Sequence, residues 1–517
     1  MSSSSGGPTA KRPRADGGQI CSDIAKTGLA LAPQARCNGV GRKAAFNELH
    51  KYDDVVTPYG PLFQTFPVGP DAYDVEFISP FAMLWYMCST SQPAAEFLVH
   101  HLAGKQCKLA FYCDAVTPGN VLRPDFGRSF EAIYWSFLEF PDWFRTRAQN
   151  GWFLFAFVEC KVVKTVPGGM AAITKKVIQT FFPAVDGQFN FDKTGVIVKY
   201  NNAEHHIRAT FGCWLADEKA IKEIVSCKGA SGSKPCVCCK NVVNRTKPGD
   251  GEYLVHVSTT DPSKFDEQTF DSLTFMACDL QAKLDSPGFK QLEQCYGITY
   301  EKEAILFDKH CRDVAKFPGS IYWDWMHCLL ASGGVAQYEC NQFLRALRDA
   351  GISLLQVDEF AGQTILPSAW SRLPKTFFQD RVVDDSSKHM KAFASEMITA
   401  VCILGLFIDT VLRTSGALTQ NIVCFDHLRS IVAVLKSGDD ACKFLDELRL
   451  LLQMHHTAYQ MLYPTCAKPK IHYLKHCVDC LGRFQCNLNC FGPERKHKDA
   501  KMAARNSFNR VIEANIS

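Results

Sequence analysis

Two short ligand-spaced motifs, far apart in the chain, constrain its fold more than any other feature. Lys234-Pro-Cys-Val-Cys-Cys-Lys240 contains Cys236 and Cys239 at Cys-x-x-Cys spacing, which lets two thiolates bind one Zn²⁺ from a tight turn. Gly229, Gly232 and Pro235 suit such a turn, whereas a redox pair wants a strand before it and a helix after it. Far downstream, Pro469-Lys-Ile-His-Tyr-Leu-Lys-His476 places His472 and His476 at i and i+4. On a helix both imidazoles then share one face. Taken singly, the first pair is matched by ordinary structural cysteines in a chain holding 24 of them, and the second by a surface histidine pair. Met454-His455-His456 reads as histidines without a task. If the four meet, they close a Cys₂His₂ structural zinc site, and everything between them becomes an insertion tied at its base.

The sequence, 517 residues with 47% hydrophobic content, can bury a substantial core, as one large domain with an insertion or as two to three ordinary domains. The balance of 57 basic against 53 acidic residues neither requires nor excludes nucleic acid, because local patches do the attracting. The opening Met1-Ser-Ser-Ser-Ser-Gly-Gly has no apolar leader segment, so free thiols in a reducing compartment are expected. Met397 to Ile408 is the longest uncharged apolar run and is too short to span a bilayer, so it reads as a buried helix. Lys11-Arg-Pro-Arg14, on a Ser/Gly/Pro-rich tail over residues 1–20, suits a nuclear import signal or a plain solvated tail. Residues 21–107 form an N-terminal segment with no assigned chemistry.

Strand character begins at residue 108. Lys108-Leu-Ala-Phe-Tyr-Cys-Asp114 is an apolar run ending in an acid, followed by turn residues. Ser129 to Leu138 and Trp152 to Val158 supply aromatic and β-branched neighbours, Thr194 to Lys199 and His206 to Leu215 resume strand character, and Ala172 to Phe182 is helical. The last strand ends at Asp217, with a helix predicted over Glu218 to Val225. Beyond about residue 260 the apolar spacing is mostly helical, as in Asn341 to Arg348 and Ala441 to Leu462. Two-metal phosphodiester cleavage needs acids from separate elements converging on ions about 3.5–4 Å apart. Asp114 at a strand end, Asp217 before a helix and Glu494 in the helix opened by Pro493 are the candidates. Each also has a plain reading, as turn acid, N-cap or dipole partner.

In this order and spacing the motifs resemble the CACTA/Mirage/Chapaev transposases, including the En/Spm-like and Plavaka-type relatives. The resemblance runs from about Lys108 to Lys501 and also takes in Tyr322-Trp-Asp-Trp-Met-His327, similar to an Asp-x-Met-His signature. It implies an α/β, ribonuclease-H-like core over 108–235, a zinc-tied helical insertion over 236–476, and a core-closing helix within 477–517 carrying the third acid. It further implies a cut-and-paste DNA transposase whose triad Asp114, Asp217 and Glu494 holds two Mg²⁺ or Mn²⁺ ions. The partners implied are transposon-end and target double-stranded DNA, with homo-oligomers in the nucleus and no membrane. Asp324 competes with Asp217 for the second ligand position, or it supports the site together with His327. Asp114 is followed by alanine where the family often has glycine. After Glu494, the cations Arg495, Lys496, Lys498 and Lys501 are candidates for phosphate contact. Trp323 and Trp325 read as core ahead of base-stacking. The competing classes are a transposon-derived DNA-binding or scaffold protein without catalysis, and a zinc-stabilised interaction protein.

Overall fold

In a computed structural model, residues 52–506 are described except 53, 70–72, 118, 121–122, 125–128, 148–150, 246–252 and 369. The basic tail at Lys11 to Arg14 and Arg510 lie outside the described residues. Lys501 and Arg505 fall in a helix whose side chains from residue 499 onward are not described. The apolar runs of the first half of the chain build an eight-stranded sheet. Its strands are β1 (Phe63–Val68), β2 (Tyr73–Ile78), β3 (Gln106–Val116), β4 (Phe130–Phe137), β5 (Phe153–Glu159), β6 (Val196–Tyr200), β7 (Ala203–Ala216) and β8 (Ile321–Trp323). They lie in the order β6-β7-β3-β4-β5-β2-β1, and β8 pairs with the far end of β7.

The sheet is mixed. β4 runs antiparallel to both its neighbours, β3 and β5, whereas β7 is parallel to β3 and β8 is parallel to β7. Every residue of β4 and of β5 is buried, because both faces are covered; such strands read as continuous apolar runs rather than alternating ones. Two helices before β3, α1 (Pro80–Thr90) and α2 (Gln92–Leu102), are each capped by a serine, Ser79 and Ser91, ahead of an early proline. Helix α3 (Gly169–Phe181) presses Phe181 edge-on against Phe111 and Trp135. A further short helix, α4 (Glu218–Val225), follows β7 directly.

The second half is mainly helical. Its principal helices are α5 (Val335–Asp349), α6 (Ala394–Phe407), α7 (Thr419–Leu435), α8 (Leu445–Leu462), α9 (Pro469–Phe484) and α10 (Phe491–Asn506). The apolar run around Met397 forms α6 and continues through further helical turns, so that Ala394–Ser415 is long and apolar enough to cross a membrane by length and composition alone. Its apolar face, including Met397, Val401, Leu404 and Phe407, is nevertheless buried within the protein. Sheet and helices are fastened at one seam. Buried Arg145 bonds the Phe140 carbonyl and Asp439, Asp439 accepts from the Asn487 backbone, and Asn487 accepts from Trp325 Nε1.

Candidate metal centres

Strand β3 presents Asp114 near its end, on the same face as Tyr112, whose hydroxyl donates to Asp114 Oδ2 at 3.2 Å. Whether Asp217 shares that face depends on one residue of β7. Phe211 pairs with Leu109 but Cys213 pairs with Ala110, so Gly212 is the extra residue of a β-bulge. After the bulge, Trp214 is level with Phe111 and Leu215 with Tyr112. Phe211 and Trp214 therefore both stack on Phe111, at 5.2 and 5.4 Å. Continued past Ala216, this register brings Asp217 beside Asp114 on one face. Without the bulge, strand alternation would send Asp217 to the opposite face. Asp217 is also the N-cap of α4, accepting from the Ala220 amide at 2.7 Å. The capping role and the place in the acid cluster coexist.

Glu494 arrives from the first turn of α10. Burial, then the charges of Asp217 and Glu494, push the Asp114 carboxyl up to about 7. His327 Nε2 lies 3.2 Å from Glu494 Oε1, and its Nδ1 lies 2.6 Å from Asp324 Oδ2. Burial opposes protonation of His327, but hydrogen bonds to Asp324 and Glu494 carry its pKa well above the usual imidazole value.

Asp324 itself is fully buried at the end of β8. One of its oxygens accepts from the Met326 and Cys490 amides, and the other from the His327 amide and ring. Those bonds occupy its acceptor positions and use it to hold His327. Asp324, His327 and Cys490 do converge closely enough to suggest a cation site. The saturated carboxylate makes a hydrogen-bond network the better account.

The four residues of the Cys/His set meet. Cys236, Cys239, His472 and His476 are all buried, with one donor atom of each within 4.8 Å of the others. His476 Nε2 lies 3.2 Å from Cys236 Sγ, 3.4 Å from Cys239 Sγ and 3.2 Å from His472 Nε2. In a tetrahedron with M–N of about 2.05 Å and M–S of about 2.3 Å the N–N and N–S edges come to ~3.3–3.6 Å, so one ion fits at the centre. A thiol hydrogen bond from Cys236, ahead of the two histidines, draws the Cys239 pKa well below the usual thiol range. The cage is braced from outside. Tyr473 donates to the Pro235 carbonyl, Trp323 stacks on Tyr473 at 4.2 Å, and Asp479 lies beside His476 Nδ1. Trp323 and Trp325 are both core residues.

Two expectations need correction. Lys496, expected on a phosphate-binding face, is buried, and its ammonium donates to the Trp152 carbonyl at 2.6 Å. Its position on α10 turns it toward the sheet, so it is unavailable to DNA. Arg495 is exposed but bonds the Phe491 and Thr146 carbonyls, whereas Lys498 is exposed. His455 is not idle either: it is fully buried against Glu339. Sequence reasoning also passed over Tyr112 and His497. His497 Nδ1 is 3.8 Å from Asp114 Oδ2, and the ring stacks near Tyr112 and Tyr134. Its i+3 spacing from Glu494 was the legible signal. No family model and no curated protein matches the chain.

Proposed function

We propose that the chain is a metal-dependent DNA transposase of the three-carboxylate class, with Asp114, Asp217 and Glu494 as its metal ligands. The observation that carries this reading is that Asp217, at the start of α4, and Glu494, at the start of α10, lie near enough to Asp114 on β3 for their charges to add to burial in raising its pKa. Like charges gathered in a partly buried site favour a divalent cation as compensation. The strand order β5-β4-β3-β7-β8, three antiparallel strands and then two parallel ones, supports a ribonuclease-H-like core. The Cys₂His₂ donor set favours zinc in the second centre, in a closed structural site.

Two Mg²⁺ or Mn²⁺ ions, when bound, would activate a water or a 3′-hydroxyl and stabilise the leaving oxygen. The protein's own part is positional. Asp324 fixes the tilt of His327 and favours its charged form, and that imidazolium holds the Glu494 carboxylate through Nε2–H. Tyr112 and the Ala115 amide, 2.7 Å from Asp114 Oδ1, hold Asp114. The reading brings with it double-stranded DNA as substrate, nuclear action and a homo-oligomer.

Nicking of plasmid DNA in Mg²⁺ or Mn²⁺ tests the reading. Asp114→Asn, Asp217→Asn and Glu494→Gln are each expected to lose activity by ~10²-fold or more, about 2.7 kcal/mol of transition-state stabilisation. Metal-independent DNA binding without any nicking would instead support the non-catalytic scaffold. Nicking that survives in all three folded variants would overturn the triad.

A further inference from the structure

Three helices of the second half, α5, α7 and α8, pack through apolar residues such as Phe343, Phe425, Leu428 and Leu452. Within that packing each contributes one metal-ligating side chain: Glu339, Cys424 and His455, all fully buried. Glu339 Oε2 is 2.6 Å from His455 Nε2, and one donor atom from each of the three residues lies within 4.8 Å of the others. Two polar atoms of the cluster are left over. No hydrogen bond of acceptable geometry reaches Glu339 Oε1, although the Cys424 thiol lies beside the carboxylate, and His455 Nδ1 also lacks a partner.

We infer that Glu339, Cys424 and His455 form a further buried metal site that takes a zinc-like divalent ion and clamps α5 to α7 and α8. Both oxygens of Glu339, with Cys424 Sγ and His455 Nε2, give four donor atoms and absorb the unpartnered Oε1. A thiolate, an imidazole and a carboxylate make a borderline-soft set, which suits zinc over magnesium or calcium. A buried carboxylate held only by one imidazole and a weakly donating thiol is expensive to keep in an apolar helix bundle, and an ion at this point supplies a stronger interaction. Binding releases two protons to solvent, one from the Glu339–His455 hydrogen bond and one from the Cys424 thiol. Burial, and Glu339 next, otherwise hold that thiol protonated. Two ligands on a tetrahedral ion stand ~3.3 Å apart, so the 2.6 Å contact widens on loading.

The site is independent of the DNA-cleavage reading and is tested without it. The full chain is produced with added zinc and dialysed against metal-free buffer, and its zinc is counted by mass spectrometry. About two ions per chain are expected for the wild type, and about one for Cys424→Ala, His455→Gln or His476→Ala. Combining Cys424→Ala with His476→Ala is expected to leave none. In the cobalt-substituted protein, Cys424→Ala should remove part of the thiolate-to-cobalt absorption while far-ultraviolet circular dichroism stays unchanged. Should one variant misfold, the other substitution at the site, read by the cobalt spectrum, decides. A wild type whose whole zinc content is lost in His476→Ala and kept in Cys424→Ala overturns the site.

Discussion

At the scale of single residues, His327 concentrates the consequences of the arrangement. Its Nδ1 is spoken for by a carboxylate that four donors saturate, so its ring cannot turn, and Nε2 faces Glu494. Removing a group that orients a metal ligand in this way typically costs ~10–100-fold. His327→Ala should therefore lower nicking by ~10–100-fold with the fold intact, and Asp324→Asn should act in the same direction. Steady-state nicking rates alongside thermal melts check this; an unchanged rate would leave His327 without a positioning role. Asp114 makes a prediction about stability. Its folded pKa, about 7, lies above the ordinary carboxylate value, so between pH ~4 and ~7 the native state keeps a proton that the unfolded chain has lost. Stability then falls as pH rises through that window and stays low above it. Without divalent metal, Asp114→Asn should be more stable than wild type at pH 8, by on the order of 1 kcal/mol once solvent screening of this part-exposed group is allowed for. The advantage should vanish near pH 4. Urea titrations at the two pH values measure it, and a variant less stable at pH 8 contradicts the crowding of the acids.

At the scale of elements, the β-bulge of β7 matters most. A Cβ on Gly212 would stand 2.7 Å from the Leu109 carbonyl and 2.9 Å from Lys108 Cβ, against strand backbone that has little room to move. Gly212→Ala should destabilise the protein by ~1–3 kcal/mol, as overpacking does. It should also weaken divalent-metal binding, because relief comes by shifting the register that aligns Asp217 with Asp114. Chemical denaturation and Mn²⁺ titration together separate the two effects. Unchanged metal affinity in a destabilised variant would mean that the bulge serves packing alone. Strands β3 to β7 and α4 lie within a few residues of where apolar runs and the Asp217 cap predict them, since those signals are local, whereas β1, β2 and β8 fall where no strand was expected. The bulge was illegible because a lone glycine in a strand does not announce which neighbour its backbone approaches.

At the scale of the whole molecule, the Cys/His cage joins the loop after α4 to α9, and the Arg145–Asp439–Asn487 seam fastens the sheet to the helices nearby. Loss of the cage should loosen both halves together. Cys236→Ser, or a strong chelator on the wild type, should lower the melting temperature and destabilise by several kcal/mol, because the metal's binding energy is folding energy here. Differential scanning calorimetry reads it, and a chelator-insensitive transition would deny the cage a structural ion.

The sequence by itself determined the ligand spacings, the strands that end in acids and the helix faces, because each rests on chain neighbours within a turn or a strand. It could not say that His455 meets Glu339 across a helix interface, that Lys496 turns inward, or that Asp324 is sealed by the Cys490 amide. Those outcomes depend on which distant backbone each side chain finds, and only tertiary packing sets that. The same holds for the acids and the cage. Their residue types and order were legible in the chain, whereas their convergence was decided by a bulge in β7 and by α9 and α10 folding back against the sheet.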